Sequence, residues 1–164
     1  MSITLADYLE TEEKAEEILD ILAKYNVFKP PVPTGIIFKI MPYATVDVQN
    51  MSEEVLGFSF FENGKSHILI NAKLPYGAKR FTAFHEFYHL LHGQHGYSKD
   101  SPQAKDEDGK AEFFAACMLM PARWFRKYWE QVQDIDAMVE IFGVSRKAVE
   151  VRLRSLEHYL ATNR

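Results

Sequence analysis

The chain has 164 residues, is 47% hydrophobic and 26% charged, and carries a net charge of −4. That suffices for one domain with a real core, or one domain with a small helical appendage, and it excludes a strongly basic overall field for nucleic acid. One cysteine, Cys117, excludes an intrachain disulfide and suits a reducing compartment; no apolar run of signal-peptide type opens the chain and none approaches the roughly 20 residues that span a bilayer, so the expected location is cytoplasmic.

Thr4 to Asp7 reads as a capping box that opens a helix. Leu5, Tyr8, Leu9, Ala15, Ile18, Leu19, Leu22 and Ala23 then recur at helical spacing, which extends that helix to about Tyr25. Residues 28–35 contain three prolines, which remove donors and fix φ, so they form a connector. Three short segments rich in β-branched and aromatic residues follow, at 36–40, 55–61 and 67–71. Asn63-Gly64 between the last two predicts a hairpin. From Ala78 onward the pattern is helical. Helices are predicted over 79–92, ended by Gly93 and Gly96, and over 108–119, stopped by Pro121, with a polar loop at 97–107 between them. Further helices are predicted at about 122–132, 135–142 and 146–160, with Asp134 and Ser145 as N-caps of the last two. The fold class expected is α+β: mainly helical, with a small three-stranded, mostly antiparallel sheet.

Four of the six histidines lie within residues 81–95, FTAFHEFYHLLHGQH. His85-Glu86-Phe87-Tyr88-His89 is a His-Glu-x-x-His motif. Side chains four apart on a helix share a face, so His85 and His89 can point two imidazoles at one ion while Glu86 reaches a water on it. The opposite face, Phe84, Phe87, Tyr88 and Leu91, is apolar and suits a core. Two third ligands are open. His95 completes offsets 0, 4 and 10, but the glycine that such a site needs at offset 7 is His92 here, and Gly93 comes one place late. Met118 or Met120 would then have to supply the methionine turn of such a site, from within a predicted helix. Asp108, with Glu112 one turn on, offers instead a carboxylate ligand and an acceptor for a ligand histidine's free N–H. Asp108 has a plain structural reading as well, as a helix N-cap.

RFTAFHEFYHLLH, then DGKAEFFAACMLMP, then IFGVSRKAVEVRLRSL resembles the ImmA/IrrE family of zinc-dependent peptidases, over roughly residues 12–160. The resemblance implies a zincin-like domain at 1–132 and a helix-turn-helix-like helical segment at 133–164 packed on it. It implies His85 and His89 as Zn²⁺ ligands and Glu86 as general base. The family's third ligand, a glutamate, falls on Asp108, and its asparagine falls on Glu112; Glu107 is a neighbouring alternative. It further implies a site-specific peptidase that cleaves a repressor protein, often a helix-turn-helix regulator of a mobile element or a stress response, and so acts as an anti-repressor in transcription regulation.

Residues 136–149 also have the shape of a DNA-reading helix-turn-helix, with Arg146, Lys147, Arg152 and Arg154 on the second helix. The alternative is that Met138, Ile141, Phe142, Val144, Val149, Leu153 and Leu156 simply pack this segment onto the core. A third reading is a zinc-binding interaction module that holds a repressor without cutting it. Tyr88, His92, His95 and Tyr97 are near enough in sequence to stabilise an oxyanion, and Arg80 to pair with an acid of the site. Cys117 reads as a small buried apolar residue.

Overall fold

The structure, a computed structural model, describes residues 3–40, 44–93 and 102–162. Among the described residues, seven helices and three strands follow in the order α1 (Leu5–Lys24), α2 (Thr34–Ile40), β1 (Ala44–Gln49), β2 (Gly57–Glu62), β3 (Lys65–Asn71), α3 (Tyr76–Leu91), α4 (Pro102–Leu119), α5 (Ala122–Val132), α6 (Ile135–Phe142) and α7 (Arg146–Thr162). Among the described residues, no helix is long and apolar enough to cross a membrane.

The capping box forms as expected. The Asp7 amide donates to Thr4 Oγ1 and the Thr4 amide donates to Asp7 Oδ2 at 2.8 Å. Residues 36–40 are not the expected strand. They lie in α2, which starts after Pro33 and buries Ile37 while Phe38 packs against Phe84 and Phe87 of α3. Isoleucine and phenylalanine favour strands only where a pleated surface is there to receive them. The first strand lies instead at Ala44–Gln49, where Ala44, Val46 and Val48 alternate with Thr45, Asp47 and Gln49.

The sheet order is β1-β3-β2. β2 and β3 form the expected hairpin, and Asn63 (φ 53°) and Gly64 (φ 74°) both adopt the positive φ that a tight type I′ turn needs. β1 pairs with β3 in parallel, so the sheet is mixed rather than mostly antiparallel. Buried Asn71 ends β3 and organises the loop before β2: its Nδ2 donates to the carbonyls of Ser52 and Val55, and its Oδ1 accepts from the Met51 amide.

α3 begins at Tyr76, earlier than expected, and turns at Gly93 (φ 61°). α4 begins at Pro102, so residues 102–107 of the expected loop are helical. The rest of that loop, residues 97–101, lies outside the described residues, as do His95 and Gly96 before it. The last three helices fall where the sequence put them. Asp134 caps α6 through the Ala137 amide, and Ser145 caps α7 through the Ala148 amide.

α4 runs through the middle of the molecule. Every residue from Phe113 to Met120 is buried. α7 is tied to it by Arg152, whose guanidinium is fully buried, donates to the Met120 carbonyl at 2.8 Å and pairs with Glu12 of α1 at both carboxylate oxygens, one at 2.9 Å. The C-terminal segment is also seated on α3. Buried Arg80 donates to the carbonyls of Gly143 and Phe142 at 2.9 and 3.3 Å, which places a cation at the negative end of α6 rather than beside an acid of the site. A Cβ on Gly77 would meet the backbone of Val144 at 2.7 Å, so α3 and the α6–α7 turn are in backbone contact.

Breaking a buried ion pair leaves a charge in low dielectric. Arg152→Ala is therefore expected to lower stability by about 3 kcal/mol or more, and Arg146→Ala, whose pair with Asp136 is exposed, by about 1 kcal/mol or less. Denaturant midpoints of the two variants check this.

Candidate metal centre

α3 presents His85 and His89 on one stripe, and α4 crosses beside it. His85 Nε2 and His89 Nε2 are 3.2 Å apart. Asp108 Oδ1 lies 3.0 Å from His89 Nε2 and 3.4 Å from His85 Nε2. Two atoms that ligate one tetrahedral zinc ion at 2.0–2.1 Å stand about 3.3 Å apart, so all three edges of this triangle fit the ion. The donor chemistry fits as well. Two ring nitrogens and a carboxylate oxygen that face one point can share only a proton among themselves, whereas a cation satisfies all three. Among the described residues this is the group of histidine, cysteine and acidic side chains with metal-binding geometry. Nitrogen and oxygen donors of this kind suit zinc, and also manganese or iron(II).

The electrostatics favour the ligating form. Burial, and then the neighbouring His89, push the His85 pKa down to about 4, against a smaller upward pull from Asp108. His85 is thus neutral near pH 7, as a metal ligand must be. The Asp108 side chain is 53% exposed, so the triangle opens toward solvent on the α4 side. Glu86 is half-buried on α3, beside His85 and three residues before His89.

The structure brings Asp108 to both histidines from the middle of α4, far from any helix end, which removes the N-cap reading. Glu112 is exposed one turn further along α4, and among the described residues it makes no hydrogen bond to either histidine. Tyr88 is buried, stacks on His92 at 4.1 Å and donates from its hydroxyl to Glu107 at 3.3 Å; burial and the Glu107 carboxylate both raise its pKa. Its hydroxyl therefore joins α3 to α4 beside the triangle. Sequence reasoning did not find that contact, because Tyr88 and Glu107 share no helix and no periodicity. His92 donates from Nδ1 to the Tyr88 carbonyl at 2.9 Å, a C-terminal helix contact. Met118 is buried in the last turn of α4, and Met120 is buried in the bend that follows it.

A paired-histidine helix crossed by a carboxylate-bearing helix under a small mixed sheet is the arrangement of a metallopeptidase-like domain. Residues 43–154 match the family model of the IrrE N-terminal-like domain, Peptidase_M78, and the chain belongs to that family. The fold is shared with a solved structure described as a Mycobacterium tuberculosis transcriptional regulator, at 18% identity and a TM-score of 0.66. The match covers 88% of this chain and 46% of that one, so this chain spans about half of its length. No curated protein matches the sequence.

The depressed His85 pKa has a sign that can be measured. The unfolded chain takes up a proton near pH 6.5, while the folded chain holds His85 neutral to about pH 4. Stability of the metal-free protein is expected to fall as pH drops through that window, by up to about 3 kcal/mol from this residue. Unfolding midpoints at pH 6.5 and pH 4 should differ less for His85→Gln than for the wild type; equal differences would contradict the assignment.

Proposed function

We propose that the chain is a zinc-dependent endopeptidase that cleaves a repressor protein of the helix-turn-helix kind. The observation that carries the reading is the triangle of His85, His89 and Asp108, whose edges of 3.0, 3.2 and 3.4 Å match the spacing of three ligands on a tetrahedral ion. When bound, a zinc ion supplies Lewis acidity, which polarises a carbonyl and makes water acidic near neutral pH.

The protein's own residues do the rest. His85, His89 and Asp108 hold the ion. Glu86 takes the proton from the attacking water and delivers it to the departing amine, the general acid–base role that a carboxylate beside two ligand histidines can fill. The substrate lies extended against a sheet edge beside α3, where backbone hydrogen bonds hold it irrespective of sequence. The family membership supports a protein substrate, and the regulator name of the structural neighbour supports a place in regulation. The activity belongs in the cytoplasm, where such repressors work.

Direct DNA binding through α6 and α7 is the weaker reading. Arg152, one of the four cations of the second helix, is buried against Glu12, and Arg146 is engaged with Asp136 and Glu150. The buried Met138, Phe142, Val144, Val149 and Leu156 favour a packing role for this segment. A zinc-binding module without turnover differs from a peptidase in one respect that is easy to measure. Glu86→Gln is expected to keep its zinc and to lose cleavage of the repressor by about 10²–10⁴-fold. Unchanged cleavage in that variant would contradict the role of Glu86.

A further inference from the structure

Among the described residues β2 is an edge strand, and it carries a charge only at its last residue, Glu62. It pairs with β3 on one side only, and its sequence, GFSFFE, contains no proline and no lysine. It also exposes two phenylalanines, Phe58 at 45% and Phe61 at 64%. An edge of this kind offers unpaired backbone groups and apolar side chains to a second strand, as peptide-binding edges do.

The two phenylalanines stand on opposite faces of the sheet, because side chains alternate along a strand. Phe58 shares its face with Phe60, whose ring lies tilted against it at 5.9 Å and stacks on His67. Phe61 shares the other face with Gly57 and Ser59. That face looks toward α3: a Cβ on Gly57 would come within 2.8 Å of Thr82 Cγ2. His85, Glu86 and His89 are three, four and seven residues beyond Thr82, on the same stripe of the helix.

The direction of travel matches too. Gly57 sits opposite Ile70, near the end of β3, and Phe61 sits opposite Ser66, near its start. α3 follows β3 after a short turn and packs back against β2 and β3. Moving from Gly57 to Phe61 therefore runs in the same direction as moving from Thr82 to His89. The two paths are also of similar length, about 13 Å along the strand and about 10 Å along the helix. Phe61 is thus level with the histidine end of α3, on the face of the sheet that looks toward that helix. Among the described residues, no aromatic ring stacks on it.

We propose that Phe61 is a specificity-determining residue, which selects extended peptide segments that carry an apolar, preferably aromatic, side chain next to the bond lying over Glu86. The proposal rests on the peptidase reading. An extended segment paired with the free edge of β2 alternates its own side chains, so every second one falls on the Phe61 face. An apolar side chain there covers an exposed ring, while a charged one is stripped of water against it.

The test reads binding rather than turnover. Zinc-loaded Glu86→Gln protein is titrated into fluorescein-labelled hexapeptides Ala-Ala-X-Ala-Ala-Ala, with X as Phe, Leu, Ala or Asp, and followed by anisotropy. The Phe and Leu peptides are expected to bind about 10-fold or more tightly than the Ala peptide. That preference should shrink to about twofold or less when Phe61→Ser is added and persist with Phe61→Leu. Equal binding of all four peptides, binding of none, or a preference that survives Phe61→Ser would overturn the proposal. Zinc content of the same samples separates the two failures: without zinc the peptidase reading falls, and with zinc only the role of Phe61 does. Phe61 is exposed, so both Phe61 variants should keep the parent's thermal midpoint, which is recorded alongside.

Discussion

The reach of one short side chain governs the geometry of this protein. Aspartate has a single methylene, so Asp108 meets the nitrogens of His85 and His89 at 3.0–3.4 Å only if α4 lies close against α3. The sequence of α4 provides for that approach. Ala111 and Ala115 fall on the stripe that continues from Asp108, and both are fully buried. Larger residues there would push the helices apart and leave the carboxylate short of the two histidines. The Tyr88 hydroxyl on Glu107 adds a polar tie next to the same crossing.

A close crossing has to be held from behind, and the C-terminal segment does this. Arg152 of α7 joins the α4 carbonyl end to Glu12 of α1, while Arg80 of α3 joins the His helix to the end of α6. The two buried arginines therefore link the elements that carry His85, His89 and Asp108 to elements that carry none of them. This gives the helix-turn-helix shape of α6 and α7 a structural explanation. Its turn is occupied by α3, and its most central arginine faces inward. A helix pair used as a buttress needs the same apolar periodicity as one that reads DNA, so the two are indistinguishable by pattern alone.

The parts of this fold legible in the sequence are those governed by local chemistry. The Thr4–Asp7 capping box, the Asn63-Gly64 turn, and the caps at Asp134 and Ser145 are short-range features whose partners lie within a few residues. The His85–His89 spacing is of the same kind. What the sequence hid was set at long range. Residues 36–40 have strand-like composition but are pulled into a helix by the aromatic pocket of α3. β1 has a clean alternation over only six residues and pairs in parallel with a strand that comes later in the chain. The early start of α4 lay behind polar residues that read equally well as loop. Asp108 could be proposed as a ligand from spacing and resemblance, but its meeting with two histidines 19 and 23 residues earlier is a tertiary fact. Burial of Arg152 was likewise unreadable, since nothing local distinguishes a paired interior arginine from a surface one.

The central claim is that α3 and α4 together hold one metal ion, and metal content tests it most directly. Elemental analysis of the purified wild-type chain, Asp108→Ala and His95→Ala is the measurement. The account predicts about one zinc per chain in the wild type and in His95→Ala, and little in Asp108→Ala. Retention of zinc in Asp108→Ala, with loss in His95→Ala, would contradict it and would move the third ligand from α4 to the segment that follows α3.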